Sequence, residues 1–391
     1  MRIIIVTPGM HSPWVDGRIT SLKVLAEAWV ANGAEVLVHT TSSAVPPPNS
    51  TFQDKGVTYR LHPGGNRRNW LNWACVFWNC CSRREWDLVI YRPFAGWNRT
   101  NLLGILMFRV ISLLKRVPFA LSLWSGPAEL LKVPWLFSVL LVTGIRPAGT
   151  SGRSGVVFIP PLIEVSRKTS QAPHRKALAQ GGIGEQDRIF LFTYCGKVAT
   201  DALWRYVMEK RGLFDLIQAA AELRDLQHLK ILVSMPMLAQ EEARQHLEVL
   251  LEARGVRALF VLTGELKHRD EVLSAVDAYL YPVNLDEVSW APLSALEALA
   301  CGTPVITTRT KAILQCLTEE DALLYEPGQV AVLAQHMRRL LSDPDLVGRL
   351  KERAKLRTEI YDSRGKSAGE ILATLPNRNG PIMSGGRWWR Q

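Results

Sequence analysis

Between Asp286 and Ile306 the chain reads Asp-Glu-Val-Ser-Trp-Ala-Pro-Leu-Ser-Ala-Leu-Glu-Ala-Leu-Ala-Cys-Gly-Thr-Pro-Val-Ile, a stretch able to hold a polar ligand. Pro292 suits the first turn of a helix and Gly302 its C-terminal turn, so Leu293–Ala300 is expected to be helical and Pro304–Thr308 a buried strand. Glu297 follows Ser294 by three positions, which puts both on one side of that helix. A carboxylate only accepts hydrogen bonds and suits a ligand rich in hydroxyls. The amides around Ser289, Trp290 and Ala291, ahead of a helix N-terminus, suit phosphate or sugar oxygens. Spacing alone fits equally a surface carboxylate behind an apolar helix face.

Cations form a second group. Tyr194-Cys-Gly-Lys197 ends one predicted strand, and Lys210-Arg-Gly212 precedes a helix predicted from Leu213. Lys197 and Arg211 are the candidate cations for an anionic ligand; Lys210 competes with Arg211, and two solvated cations are the plain alternative. Asp16-Gly17, in the loop Pro8–Arg18, and Gly264, after a strand ending at Thr263, are places where backbone can approach a ligand closely. His11 reads as a solvated loop residue, and His268 lies beside Lys267 after that same strand. No Asp-x-Asp signature and no paired-cysteine spacing occurs among Cys75, Cys80, Cys81, Cys195, Cys301 and Cys316, so neither a bound metal nor a cofactor is expected.

These groups need a scaffold. Ile3–Thr7 is a β-branched run suited to a buried parallel strand. Ile19, Leu22, Leu25, Ala26 and Trp29 then repeat at helical spacing, Asn32-Gly33 ends that helix, and Glu35–Thr41 is the next strand. Strands are expected at Val57–His62, Asp87–Tyr91, Pro118–Trp124 and Val156–Pro161, with a Trp- and Cys-rich helical stretch at Trp70–Cys81. After a polar, turn-rich region the alternation restarts at Arg188–Tyr194. It continues through strands at Leu229–Ser234, Leu259–Thr263 and Asp277–Pro282, with helices at Leu213–Leu223, Ala239–Ala253, Val330–Leu341 and Leu346–Arg357. Strand–helix alternation of this regularity implies doubly wound α/β domains.

A hydrophobic content of 47% with 21% charged residues is that of a globular chain. The net charge of +11 is uneven, for residues 1–165 hold 17 basic and 8 acidic side chains. Such a field favours phosphorylated partners or an anionic membrane surface. Nucleic acid is not expected, since no zinc-finger spacing or RNA-binding signature accompanies it. Leu102–Leu114, broken by Arg109, and Val133–Gly144 are apolar runs beside basic residues, too short to span a bilayer and suited to lie on one. Trp388 and Trp389 in the basic tail Pro376–Gln391 could serve as an interfacial anchor, although disorder is the expected state there. The N-terminus lacks a signal-peptide pattern, which points to a cytoplasmic protein with reduced thiols.

Glu297-Ala-Leu-Ala-Cys-Gly-Thr-Pro-Val-Ile306 closely resembles the nucleotide-sugar motif, E-A-x-A-x-G-x-P-V-I, of the retaining GT-B glycosyltransferases often grouped as family 4. The resemblance covers most of residues 1–360. It implies that Glu297 accepts hydrogen bonds from the nucleotide ribose. It also implies that Lys197 and Arg211 neutralise the donor diphosphate, with identities exchanged relative to the usual Arg and Lys. Ser289 stands where a Glu contacting the transferred sugar is usual, Asp16-Gly17 where a Gly-Gly pair is common, and Trp124 and Ser125 where some members have a histidine. Trp290, Ala291 and Gly264 fall on the donor side.

The implied fold is α/β, GT-B, with two doubly wound Rossmann-like domains facing an interdomain cleft. Residues 1–165 would form the N-terminal acceptor-side domain, 166–186 a linker, 187–360 the nucleotide-sugar-binding domain, and 361–391 a partly disordered extension. The implied activity is metal-free transfer of a sugar from a nucleotide-diphosphate sugar to a saccharide or lipid-linked acceptor. Retention, a role in envelope or exopolysaccharide assembly, and a place at the inner face of the plasma membrane complete the expectation. The alternatives are a non-catalytic GT-B protein that binds nucleotide sugar or supports a partner enzyme and, more distantly, a GT-B epimerase.

Overall fold

In a computed structural model, the chain is described at residues 1–7, 17–42, 50–63, 86–93, 99–123, 137–143, 156–163, 178, 183–195, 200–266, 269–285, 292–362 and 366–375. It divides into two units. Met1–Leu162 with Ser363–Gln391 form one, and Ile163–Asp362 the other.

The N-terminal unit begins with β1 (Arg2–Val6), α1 (Gly17–Ala31), β2 (Glu35–Ser42), β3 (Thr51–Asp54), β4 (Val57–Pro63) and β5 (Leu88–Tyr91). It continues with α2 (Arg99–Lys115), β6 (Phe119–Leu123), β7 (Val139–Thr143) and β8 (Val156–Ile159). Among the described residues the sheet order is β3-β4-β2-β1-β5-β6-β7-β8, with every pairing parallel except the β3–β4 hairpin. Alternation within β1 explains why both faces are covered. Ile3 and Ile5 join the core shared with α1, whereas Ile4 and Val6 join the core shared with α2.

Two features depart from the sequence reading. Val133–Gly144, expected to lie on a membrane surface, contains β7, whose Val139, Leu140, Leu141 and Val142 are buried between β6 and β8. A short apolar run fits a buried strand as well as an interfacial helix, and tertiary pairing decided the matter. The region assigned to an extension beyond both domains contains α11 (Lys366–Thr374, numbered after the helices below). Its Ile371, with Leu375, packs into the α1 side of the N-terminal core. The Trp70–Cys81 stretch, most of the 166–186 linker and the tail lie outside the described residues.

The C-terminal unit runs β9 (Arg188–Thr193), α3 (Asp201–Arg205), a π-helical turn (Tyr206–Lys210), α4 (Leu213–Ala221), β10 (Leu229–Ser234), α5 (Glu241–Ala253) and β11 (Phe260–Thr263). Then follow α6 (Arg269–Ala275), β12 (Ala278–Tyr281), α7 (Leu293–Ala300), β13 (Val305–Thr308), α8 (Lys311–Leu314), β14 (Leu323–Tyr325), α9 (Val330–Ser342) and α10 (Pro344–Glu359). The sheet order β11-β10-β9-β12-β13-β14 is parallel throughout. From β9 the chain winds outward to β11, then returns to the other side of β9 at β12. The carboxyl ends of β9 and β12 therefore form a topological switch point, where open α/β sheets bind ligands.

Candidate functional site

Arg211 is carried to that switch point by its neighbours in sequence. Thr200 caps α3, its Oγ1 accepting from the Leu203 amide at 3.2 Å. The π-helical turn closes on Arg211 itself, whose amide donates to the Tyr206 carbonyl at 3.0 Å. Gly212 then takes φ 74°, and a Cβ there would lie 1.7 Å from the Pro282 carbonyl oxygen just after β12. Only glycine permits this approach. The Asn284 amide donates to the Lys210 carbonyl at 3.0 Å, and Asn284 Nδ2 donates to Asp215 Oδ2 at 2.6 Å. The segment holding Arg211 is thus fastened to the loop that leaves β12.

The guanidinium of Arg211 lies among tyrosines. Its Cζ is 5.5 Å from the Tyr194 ring centroid and 4.9 Å from that of Tyr281, and its Nη1 donates to the Tyr281 hydroxyl at 3.3 Å. It also hydrogen-bonds Tyr206. Burial disfavours its charge, but the Tyr281 and Tyr206 oxygens outweigh that effect and hold its pKa above the ordinary arginine value. Arg211 is a cation at any working pH. Its Nε is buried and has no hydrogen-bond partner among the described residues. Lys210, its competitor, is exposed.

Glu297 lies on α7, where Leu293, Ala295, Leu296, Ala298 and Leu299 are buried. The end of that helix explains much of the motif. Gly302 takes φ 75°, its amide donates to the Leu299 carbonyl at 2.8 Å, and the Thr303 amide donates to the Ala298 carbonyl at 3.0 Å. That is a Schellman ending, which requires a left-handed residue where Gly302 stands. Pro304 and β13 follow.

A residue the sequence reading missed completes the site. Arg269, the first residue of α6, places Nη2 3.2 Å from Glu297 Oε2. It also hydrogen-bonds Tyr279, whose hydroxyl is 2.7 Å from Thr193 Oγ1 and bonded to Ser294. Tyr279 and Tyr281 share one face of β12, with ring centroids 6.5 Å apart. A run of neighbouring side chains therefore leads from Arg211 to Tyr281, across the ring contact to Tyr279, and on to Arg269 and Glu297. Cys301 adds no nucleophile, because burial, reinforced by Asp270 and Glu297, pushes its thiol up to about 12.

The remaining sequence candidates are placed unevenly. Gly264 follows β11, its carbonyl accepting from Ser234 Oγ at 2.8 Å. It stands two strands from β9, about 10 Å at the usual strand spacing. A Cβ there would make only an ordinary 3.7 Å contact, so packing does not demand glycine. Gly17 opens α1 in the N-terminal unit. Lys197, Ser289, Trp290, Ala291, His11 and His268 lie outside the described residues. Among the described residues no group of three or more His, Cys, Asp or Glu is placed to hold a metal.

Residues 205–357 match the family model for glycosyl transferases, group 1. That segment is similar to the group 1 glycosyl transferases. The matched residues lie wholly within the C-terminal unit, from just before the π-helical turn to the end of α10. Among curated relatives, the 2-deoxystreptamine glucosyltransferase of Streptomyces kanamyceticus is 30% identical over 155 residues. Those residues are 39% of this chain and 36% of that enzyme, so the likeness spans about a third of the relative's length.

Solved structures match almost the whole chain. Sucrose-phosphate synthase from Thermosynechococcus elongatus is 16% identical, with a TM-score of 0.68 over 95% of this chain and 98% of that one. HepE of Anabaena, in complex with UDP-glucose, is 15% identical, with a TM-score of 0.67 over 96% of this chain and 100% of that one. The chain has the GT-B fold of these structures.

Proposed function

We propose that the chain transfers a glycosyl unit from a nucleotide-diphosphate sugar to a saccharide or lipid-linked saccharide acceptor, with retention of configuration. The observation that carries this reading is the Arg211 guanidinium at the carboxyl ends of β9 and β12, with a buried Nε donor unpaired among the described residues. An anionic diphosphate is a ligand that such a donor suits. Glu297, in the same run of side chains, offers a carboxylate to the ribose hydroxyls. The family-model match over residues 205–357 supports the reading, as does the UDP-glucose bound by HepE.

In this mechanism the bond between the anomeric carbon and the β-phosphate oxygen breaks, and its electron pair leaves with the diphosphate. The acceptor hydroxyl oxygen bonds the same face of the anomeric carbon, and its proton passes to the departing phosphate oxygen. Arg211 and Lys197 stabilise the charge that gathers on the leaving group, the largest contribution a fixed site makes to such a reaction. Ser289, Trp290, Ala291, Gly264 and Gly17 are assigned to donor binding. No metal takes part, so EDTA leaves turnover unchanged.

The chain acts in envelope or exopolysaccharide assembly, in the cytoplasm at the inner face of the plasma membrane. The test is a panel of nucleotide sugars, with donor hydrolysis and transfer followed by mass spectrometry. Release of nucleoside diphosphate from one donor supports the proposal. Ser289, where the family usually has a Glu, favours a second reading, a non-catalytic nucleotide-sugar-binding protein. Tight nucleotide binding without hydrolysis or transfer would select it.

A further inference from the structure

Helix α2 is apolar on two opposite faces. Ile105, Phe108 and Ile111 are buried in the core beneath it. Away from them stand Leu102, Val110, Leu113 and Leu114, which are 42%, 54%, 60% and 66% exposed. At 100° per residue these four fall within an arc of about 120°, along about 18 Å of helix axis. They are half of the eight large apolar side chains exposed among the described residues, which makes a patch rather than the usual scatter. The helix contains no acidic residue, includes Arg99, Arg109 and Lys115, and is followed by exposed Arg116.

The division into units sharpens the electrostatics around this helix. The N-terminal unit, including the returning C-terminal segment, holds 22 basic and 8 acidic side chains, whereas the C-terminal unit holds 25 and 28. The whole positive excess belongs to the unit that carries α2, and the other unit is slightly acidic.

We propose that the outer face of α2 docks on an anionic lipid bilayer, with the helix axis lying in the plane of the interface. An apolar stripe with basic flanks suits the boundary between headgroups and acyl chains, where the cations meet lipid phosphates. Seventeen residues containing three cations cannot cross the hydrocarbon core, and among the described residues no helix is long and apolar enough to do so. A second copy fits less well, because pairing through α2 would bring two strongly basic units together. The inference does not depend on glycosyl transfer, since membrane docking needs no donor.

The test is flotation of the full chain with phosphatidylcholine vesicles, with and without phosphatidylglycerol, at low and high salt. The protein is expected to float only with the anionic vesicles and to be released by high salt. Leu113→Glu combined with Leu114→Glu is expected to cut the bound fraction at least about tenfold, and Leu113→Ser with Leu114→Ser by less. Circular-dichroism melts and UDP calorimetry should match the parent in both variants, which separates lost docking from misfolding and from any failure of the donor site. Flotation of the double-Glu variant at the parent level would overturn the proposal, as would absence of binding to anionic vesicles. So would a dimer in light scattering that the double-Glu variant converts to monomer, since a second copy would then cover the face.

Discussion

Arg269 Nη2 lies 3.2 Å from Glu297 Oε2, so the carboxylate singled out by the motif is met by a cation that no motif marks. With the two side chains 41% and 26% exposed, the pair contributes no more than about 1 kcal/mol to stability. The apolar contacts of α7 hold the helix, and Arg269 orients the carboxylate. Arg269→Ala should therefore leave the melting temperature within about 3 °C of the parent. Calorimetry should show nucleoside diphosphate binding about tenfold weaker, with Arg269→Lys recovering part of the loss.

Arg211 predicts a different signature, because the proposed mechanism sets its charge against the leaving group rather than the ribose. Arg211→Ala should lower kcat for donor cleavage by about a hundredfold. Arg211→Lys keeps the charge but loses the planar contact with Tyr194 and Tyr281, so it should restore only a minor part. Single-turnover measurements at saturating donor would separate this from weakened binding.

Gly212→Ala tests the scaffold. With φ 74° and a Cβ position 1.7 Å from the Pro282 oxygen, the backbone must move, disturbing the Asn284–Lys210 hydrogen bond. Urea unfolding should show a loss of about 3 kcal/mol or more, well beyond the fraction of a kcal/mol expected at a neutral surface site.

His39 and His62 set a pH response in the other unit. Their rings stack with Nδ1 of one 2.9 Å from Nε2 of the other, and burial beside His62 and Arg60 lowers His39 from 6.5 to about 3. Burial and Arg60 lower His62 as well. The unfolded chain then binds more protons than the folded one below pH 6.5, so stability falls as pH drops through that value. One proton of difference amounts to about 2 kcal/mol between pH 6.5 and 5. Urea unfolding across that window should show this decline, and His39→Gln should flatten it.

Much of the fold was readable because its signals are local. Ile3–Thr7, Asn32-Gly33 and the Cys301-Gly302-Thr303-Pro304 ending each announce an element through its own residues. The run containing β7 misled because four consecutive apolar residues do not distinguish a buried strand from an interfacial helix. The return of α11 to the N-terminal unit rests on Ile371 and Leu375 finding the α1 core, a contact far removed in sequence.

The site was half readable for the same reason. Glu297 and Arg211 stand in recognisable strings, whereas Arg269 opens a seven-residue helix and matters only because α6 packs beside α7. Tyr279 and Tyr281 read as ordinary strand residues until the order β9-β12 places them at the switch point.

Titration of the full chain with UDP and GDP by calorimetry, alongside Glu297→Ala and Arg211→Ala, tests the central claim most directly. One nucleotide should bind the parent, with affinity falling at least about tenfold in each variant while thermal melts stay near the parent value. Parent-level binding in both folded variants, or no binding of either nucleotide by the parent, would contradict a diphosphate site built on Arg211 and Glu297.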